Sequence, residues 1–170
     1  MGTLCSPYLT FFGARNRENE LVQNFRIRTA NVDDLTKICE IEDASFSRDP
    51  YPAFLIERLL NDENSLFYVA TSEKDEIVGY LVSKIENHDA HLISVAVLPA
   101  QRRLGVATGL LKELIAVLRQ KRIQGVRLEV RPDNKAAIQL YIQLNFGEES
   151  IIPQYYSDGS PALLMRKVIE

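Results

Sequence analysis

The apolar run Val95-Ala96-Val97-Leu98 passes into a basic turn, Gln101-Arg102-Arg103-Leu104-Gly105-Val106-Ala107-Thr108, and then into a helical pattern. A phosphate needs donors with no side chain in the way, and a strand-to-helix turn offers successive backbone N–H groups where the helix dipole is positive. The stretch therefore reads as a pyrophosphate cradle. Gly105 and Ala107 keep the approach open, while Arg102 and Arg103 either pair with phosphate or stand solvated. Elsewhere, Val126-Arg127-Leu128-Glu129-Val130-Arg131 alternates strictly, which puts its charged side chains on one face of a strand. Glu129 is there as a proton acceptor or as an ion-pair partner of Arg127 or Arg131. His91, at the start of the strand that leads to the cradle, is a second base candidate or a half-exposed strand-end residue. Tyr141 lies on an apolar helical stripe, where a tyrosine reads as a core residue with its hydroxyl satisfied.

A chain of 170 residues with 46% apolar content is long enough for one domain with a full core. Its 20 basic and 23 acidic residues leave a net charge of -3, which argues against a nucleic-acid partner or an anionic membrane surface. Cys5 and Cys39 stand far apart and in no metal-ligand spacing, so the expectation is free thiols and no metal. No apolar run reaches the length of a bilayer span and no secretory leader opens the chain; a cytoplasmic protein is expected.

Residues 1–24 show no period and read as an N-terminal extension, flexible or docked through Tyr8, Phe11 and Phe12, ahead of a domain over 25–170. A strand at 25–28 precedes a helix that starts at Asn31 and Asp34 and carries Leu35, Ile38, Cys39 and Ile41. Pro50 and Pro52 force a loop around Tyr51, after which residues 54–60 resume a helical pattern. Residues 65–71 and 77–85 read as an antiparallel hairpin, and 91–98 as the strand that delivers the chain to the cradle. Ala107, Leu110, Leu111, Leu114 and Leu118 then recur at helical spacing. Past the alternating strand, Pro132-Asp133-Asn134 starts a helix that Asn145 ends, and two strands near 147–153 and 162–169 flank Tyr155-Tyr156-Ser157-Asp158-Gly159. This order predicts an α/β fold around a largely antiparallel sheet with one crossover at the cradle helix.

Gln101-Arg102-Arg103-Leu104-Gly105-Val106-Ala107 resembles the Q/R-x-x-G-x-G/A signature of the GNAT superfamily of acyl-CoA-dependent N-acetyltransferases, and the element order over about 25–168 is also theirs. Leu128-Glu129-Val130-Arg131-Pro132-Asp133-Asn134-Lys135-Ala136-Ala137-Ile138-Gln139-Leu140-Tyr141 resembles the L-E-V-R-x-x-N-x-x-A-x-x-L-Y run of RimI-like and archaeal catalytic subunits of protein N-terminal acetyltransferases. The tail from Tyr155 to Met165 is similar to their Y-Y-x-D-G-x-x-A-x-x-M. The chain departs in having Ala107 where many of these loops have glycine, and Asn145-Phe146 where Gly-Phe is common.

The resemblance implies the GNAT fold, a mixed, mostly antiparallel seven-stranded sheet with helices on both faces. It also implies acetyl-CoA as cofactor and acetyl transfer to the α-amino group of polypeptide N-termini, those of nascent chains or ribosomal proteins, by a monomer or homodimer. The alternative within the family is acetylation of protein lysine or of a small-molecule amine. Amide formation needs a neutral amine: at pH 7 freeing the lone pair costs about 1.4 kcal/mol for an α-amine and about 4.6 kcal/mol for a lysine. An N-terminal substrate thus tolerates a weak or water-relayed base, the role implied for Glu129 and His91, while Tyr141 is implied to protonate the departing thiolate. Val95, Ala96 and Val97 would pair their backbone with the pantetheine arm. Asn134, next to Ala137, bonds its amides, caps its helix, or does both. Tyr51, Tyr155 and Tyr156 would flank the peptide with Glu129, or else cover core edges as loop aromatics.

Overall fold

Period-two alternation along the strands and helical stripes between them build two packed layers on one sheet. The computed structural model describes residues 25–170; the extension expected over 1–24, Cys5 included, lies outside the described residues. The strands are β1 (Phe25–Thr29), β2 (Ser65–Ser72), β3 (Ile77–Glu86), β4 (Asp89–Val97), β5 (Gly125–Val130), β6 (Gly147–Ile152) and β7 (Ala162–Val168). The helices are α1 (Leu35–Ser45), α2 (Ala53–Leu60), α3 (Val106–Gln120) and α4 (Lys135–Gln143). They bear out the mixed seven-stranded sheet of the GNAT fold.

The strand order is β1-β2-β3-β4-β5-β7-β6, antiparallel throughout except where β4 meets β5. The last hairpin therefore folds back so that β7, not β6, lies beside β5. Ile38 and Ile41 of α1 with Ile56 and Leu59 of α2 cover Phe67, Val69, Tyr80 and Val82 on one face. On the other, Leu110, Leu111, Leu114 and Leu118 of α3 and Ile138 of α4 share a core with Leu81, Leu92, Leu128 and Met165. Helices thus lie on both faces.

β4 begins at Asp89, earlier than its apolar run suggests, because Asn87 takes φ 58 and closes a two-residue turn between Glu86 and Asp89. Val82 then faces Ser94 while Ser83 faces Leu92, so Ile93 is an extra residue, and the bulge bends β4. β4 and β5 stay paired only at Asp89/Gly125, Ala90/Val126 and His91/Arg127. Past that point β4 follows β3 and β5 follows β7, and the sheet parts into a cleft.

Gly79 lets the neighbours of the cleft close up. A Cβ there would stand 2.9 Å from the Ala96 carbonyl oxygen, 3.1 Å from Val97 Cγ2 and 3.2 Å from Val106 Cγ1. The expected cost of Gly79→Ala is about 1–3 kcal/mol, since backbone and two buried side chains must move. A lowered urea midpoint at unchanged m-value checks this; an unchanged midpoint would show that β4 and α3 shift freely.

Candidate active site

After β4, Pro99–Gln101 forms one 3-10 turn, and the chain enters α3 through two left-handed residues, Arg103 at φ 63 and Gly105 at φ 81. The positive φ favours glycine at the second, and a Cβ there would meet nothing within 4 Å, so the turn is open on that side. The first bond of the helix is Gly109 N–H to the Gly105 carbonyl, at 2.9 Å. The amides of Val106, Ala107 and Thr108 consequently have no partner within the helix. All three residues line a cavity of about 800 Å³ in the parted sheet. Donors at a positive helix end, backed by open space, fit a pyrophosphate.

The wall beside this cradle is the free edge of β4. Leu98 N–H donates to the Val78 carbonyl at 2.9 Å, and by the alternation of an antiparallel ladder the N–H and C=O groups of Val97 and Val95 then point away from β3, into the cleft. The Val97 carbonyl accepts from Arg102 Nε at 3.1 Å, which ties the cradle to the strand end. Arg102 is thus committed in part to the protein itself.

Across the cleft, Asn134 N-caps α4 by accepting from Ala137 N–H at 3.2 Å, the capping alternative anticipated for it, and still lines the cavity with Ala137 and Tyr141. Tyr141 is 7% exposed and packs on Phe146, ring centroids 5.6 Å apart. Burial, and then the nearby Tyr156, raise its pKa, so the phenol stays protonated.

His91 and Glu129 meet although they are 38 residues apart: His91 Nε2 stands 2.6 Å from Glu129 Oε2. The register explains the contact, since His91 pairs with Arg127 at the last rung before the strands part. The surface ion pair weighed for Glu129 is not formed, because Arg127 reaches Glu86 at 3.0 Å and Arg131 reaches Asp49 and Asp158. Burial pushes the Glu129 pKa up, but the hydrogen bond and charge of His91, with Arg127 and Tyr155 adding to them, outweigh it and leave the carboxyl below its ordinary value. Tyr155 and Tyr156 pack edge to face with centroids 5.0 Å apart, and burial followed by the Glu129 charge pushes the Tyr155 phenol up to about 12. Tyr51 completes the mouth, its own pKa raised by burial and then by Glu42 and Glu129.

The cavity thus gathers Val95, Ala96, Val97, Gln101, Arg102, Arg103, Gly105, Val106, Ala107, Thr108 and the tyrosines, Tyr51 included. Two candidates are not among the lining residues: Leu104, which is 62% exposed, and His91, which meets the site only through its contact with Glu129. Sequence reasoning missed Glu42, a carboxylate 1% exposed that accepts from Tyr51 N–H at 2.8 Å and from the Tyr80 hydroxyl. Tyr80 in turn stands 2.8 Å from Ser94 Oγ, beside the bulge. A signal existed: Glu42 lies four residues after Ile38 on the buried stripe of α1, where an acid is out of place. Burial, partly offset by the bonds from Tyr51 and Tyr80, raises its pKa.

The family described as Acetyltransferase (GNAT) family matches residues 31–146. An N-alpha-acetyltransferase of Sulfolobus acidocaldarius is 34% identical over 155 residues, 84% of this chain and 91% of that one. The crystal structure of Ard1 from Thermoplasma volcanium superposes with a TM-score of 0.80 at 30% identity, covering 86% of this chain and 99% of that one. The ribosomal-protein-S18-alanine N-acetyltransferase from Escherichia coli gives a TM-score of 0.79 at 28% identity over 86% and 94% of the two chains. Cradle, parted strands and family match agree: this chain belongs to the GNAT family of acetyltransferases.

Proposed function

We propose that the protein transfers an acetyl group from acetyl-CoA to the α-amino group of polypeptide N-termini, by direct attack in a ternary complex. The observation that carries this reading is Glu129 in the wall of the cavity between the cradle and the three tyrosines, its Oε2 held 2.6 Å from Nε2 of His91, a residue that does not itself line the cavity. A carboxylate held below its ordinary pKa is a weak base, adequate for an α-amine that is partly neutral at pH 7 and poorly matched to a lysine. The names of the Sulfolobus and Escherichia coli relatives support the same substrate class, and the termini of nascent or ribosomal proteins are the expected acceptors.

When bound, acetyl-CoA supplies the activated acetyl thioester. The unused amides of Val106, Ala107 and Thr108 would hold its phosphates, and the cleft-facing backbone of Val95 and Val97 its amide-bearing arm, with the Val97 N–H free to polarise a carbonyl. Tyr51, Tyr155 and Tyr156 hold the incoming backbone. Glu129, positioned by His91, would accept the proton of the ammonium, and the Tyr141 hydroxyl would protonate the departing thiolate to give the free thiol. Cys39 is not among the cavity walls, so no described thiol is placed as a nucleophile.

The test is thiol release from acetyl-CoA with peptides whose free termini begin Ser, Ala, Met-Leu or Met-Glu, beside blocked peptides that contain lysine, with the acetyl group located by mass spectrometry. Acetylation of free termini alone is expected. Reaction only at lysine would replace this reading with side-chain acetylation.

A further inference from the structure

Arg131 follows the last residue of β5, and its guanidinium joins two loops that no strand pairing connects. Nη2 donates to Asp49 Oδ2 at 2.9 Å, in the segment between α1 and α2. Nη1 donates to Asp158 Oδ2 at 3.0 Å and to the Ser160 hydroxyl, in the segment between β6 and β7. The guanidinium also lies over the Tyr156 ring, 3.8 Å from its centroid. Asp49 accepts as well from the Ser157 hydroxyl, and Arg48 stands 3.8 Å from Asp158. Arg131 is 18% exposed at its side chain, against 37% and 39% for the two aspartates, so one sheltered cation holds two half-exposed anions.

The two loops carry the aromatic residues of the cavity mouth, Tyr51 on one side and Tyr155 and Tyr156 on the other. Without the cation, Asp49 and Asp158 would face each other as like charges and the lips would part. Asp49 is itself in the left-handed region at φ 54, a conformation that a non-glycine residue keeps when its contacts hold it there. The fork of the guanidinium spans both carboxylates, which a single ammonium point charge does not. We propose that Arg131 is a positioning residue that clasps the two loops together and so sets the width of the groove through which a polypeptide end reaches Glu129. The clasp rests on the N-terminal reading for its kinetic consequence, though not for its structural one. Because its anions are half exposed, salt loosens it.

The experiment compares Arg131→Gln, Arg131→Lys and Asp49→Asn with the parent chain, measuring peptide and acetyl-CoA kinetics between about 0.05 and about 0.5 M salt, and amide hydrogen exchange of both loops. Arg131→Gln is expected to raise the peptide KM about tenfold while kcat and the acetyl-CoA KM stay within about twofold. It should also abolish the salt dependence of the peptide KM and speed exchange at 46–52 and 154–160 together, with Arg131→Lys intermediate. Should Arg131→Gln fold poorly, Asp49→Asn is expected to give the same pattern. Exchange unchanged in either loop overturns the clasp, as does a fall in kcat at constant peptide KM. If the parent chain acetylates no free terminus, the N-terminal reading falls, and the exchange measurement still decides the clasp.

Discussion

Glu129→Gln is expected to lower kcat/KM for an N-terminal peptide by about a hundredfold or more at pH 7, the scale of a lost general base. The substitution keeps the size of the side chain and removes the charge that His91 meets at 2.6 Å. Since the carboxyl sits below its ordinary value of 4.5, it contributes no rate limb above that pH, and the parent enzyme keeps the charged form through the whole neutral range. The sign for stability follows from the same direction. The contact with His91 stabilises fully above the pKa of the unfolded carboxyl and is lost as pH falls through the lower folded value, so at pH 7 the variant also loses some resistance to urea.

The defect should shrink as the medium takes over the work of the base. An α-amine with a pKa near 8 is about a tenth neutral at pH 7 and about nine-tenths neutral at pH 9, so the variant should recover about tenfold relative to the parent over that interval. His91→Ala is expected to show the same pattern, and the double variant to be little worse than the more damaged single one, because the two side chains act as one unit. A variant rate equal to the parent's at pH 7, or a defect that ignores pH, would remove Glu129 from proton transfer.

What could be read from the chain before folding was whatever depends on neighbours in sequence. The cradle is local turn chemistry: Gly105 tolerates φ 81 where a side chain would be strained, and the helix amides follow directly. The alternation of Val126, Leu128 and Val130 against Arg127 and Glu129 likewise foretold which face of β5 is buried. Asn134 and Asn145 mark the ends of α4 by their own side-chain and backbone preferences. Placement of β7 between β5 and β6 was beyond this, since both orders satisfy the same hydrophobic pattern. Which rungs β4 shares with β5 is a matter of tertiary pairing, and it is the His91/Arg127 rung, the last before the strands part, that brings His91 to Glu129. Arg131 and Asp49 are 82 residues apart, so only the fold makes them partners. Leu104 shows the reverse error: its motif is right, but the backbone around it serves the site while its side chain does not.

Tyr141→Phe is the complementary experiment, with an expected loss in kcat of about a hundredfold and little change in the acetyl-CoA KM. The phenyl ring keeps the packing on Phe146, so stability and the wall of the cavity should survive, and only the hydroxyl proton is removed. Burial first, and Tyr156 second, hold that phenol above its ordinary value of 10, so it is protonated at every pH at which the enzyme would be assayed. The variant should therefore lower the whole pH–rate profile without moving either limb. This separates the two ends of the reaction: the Glu129→Gln defect is relieved as pH rises and the amine loses its own proton, whereas the Tyr141→Phe defect is not, because the departing thiolate still needs one. If Tyr141→Phe keeps the parent rate, the hydroxyl is a bystander, the residue serves only to pack α4 against the cleft, and the thiolate takes its proton from solvent.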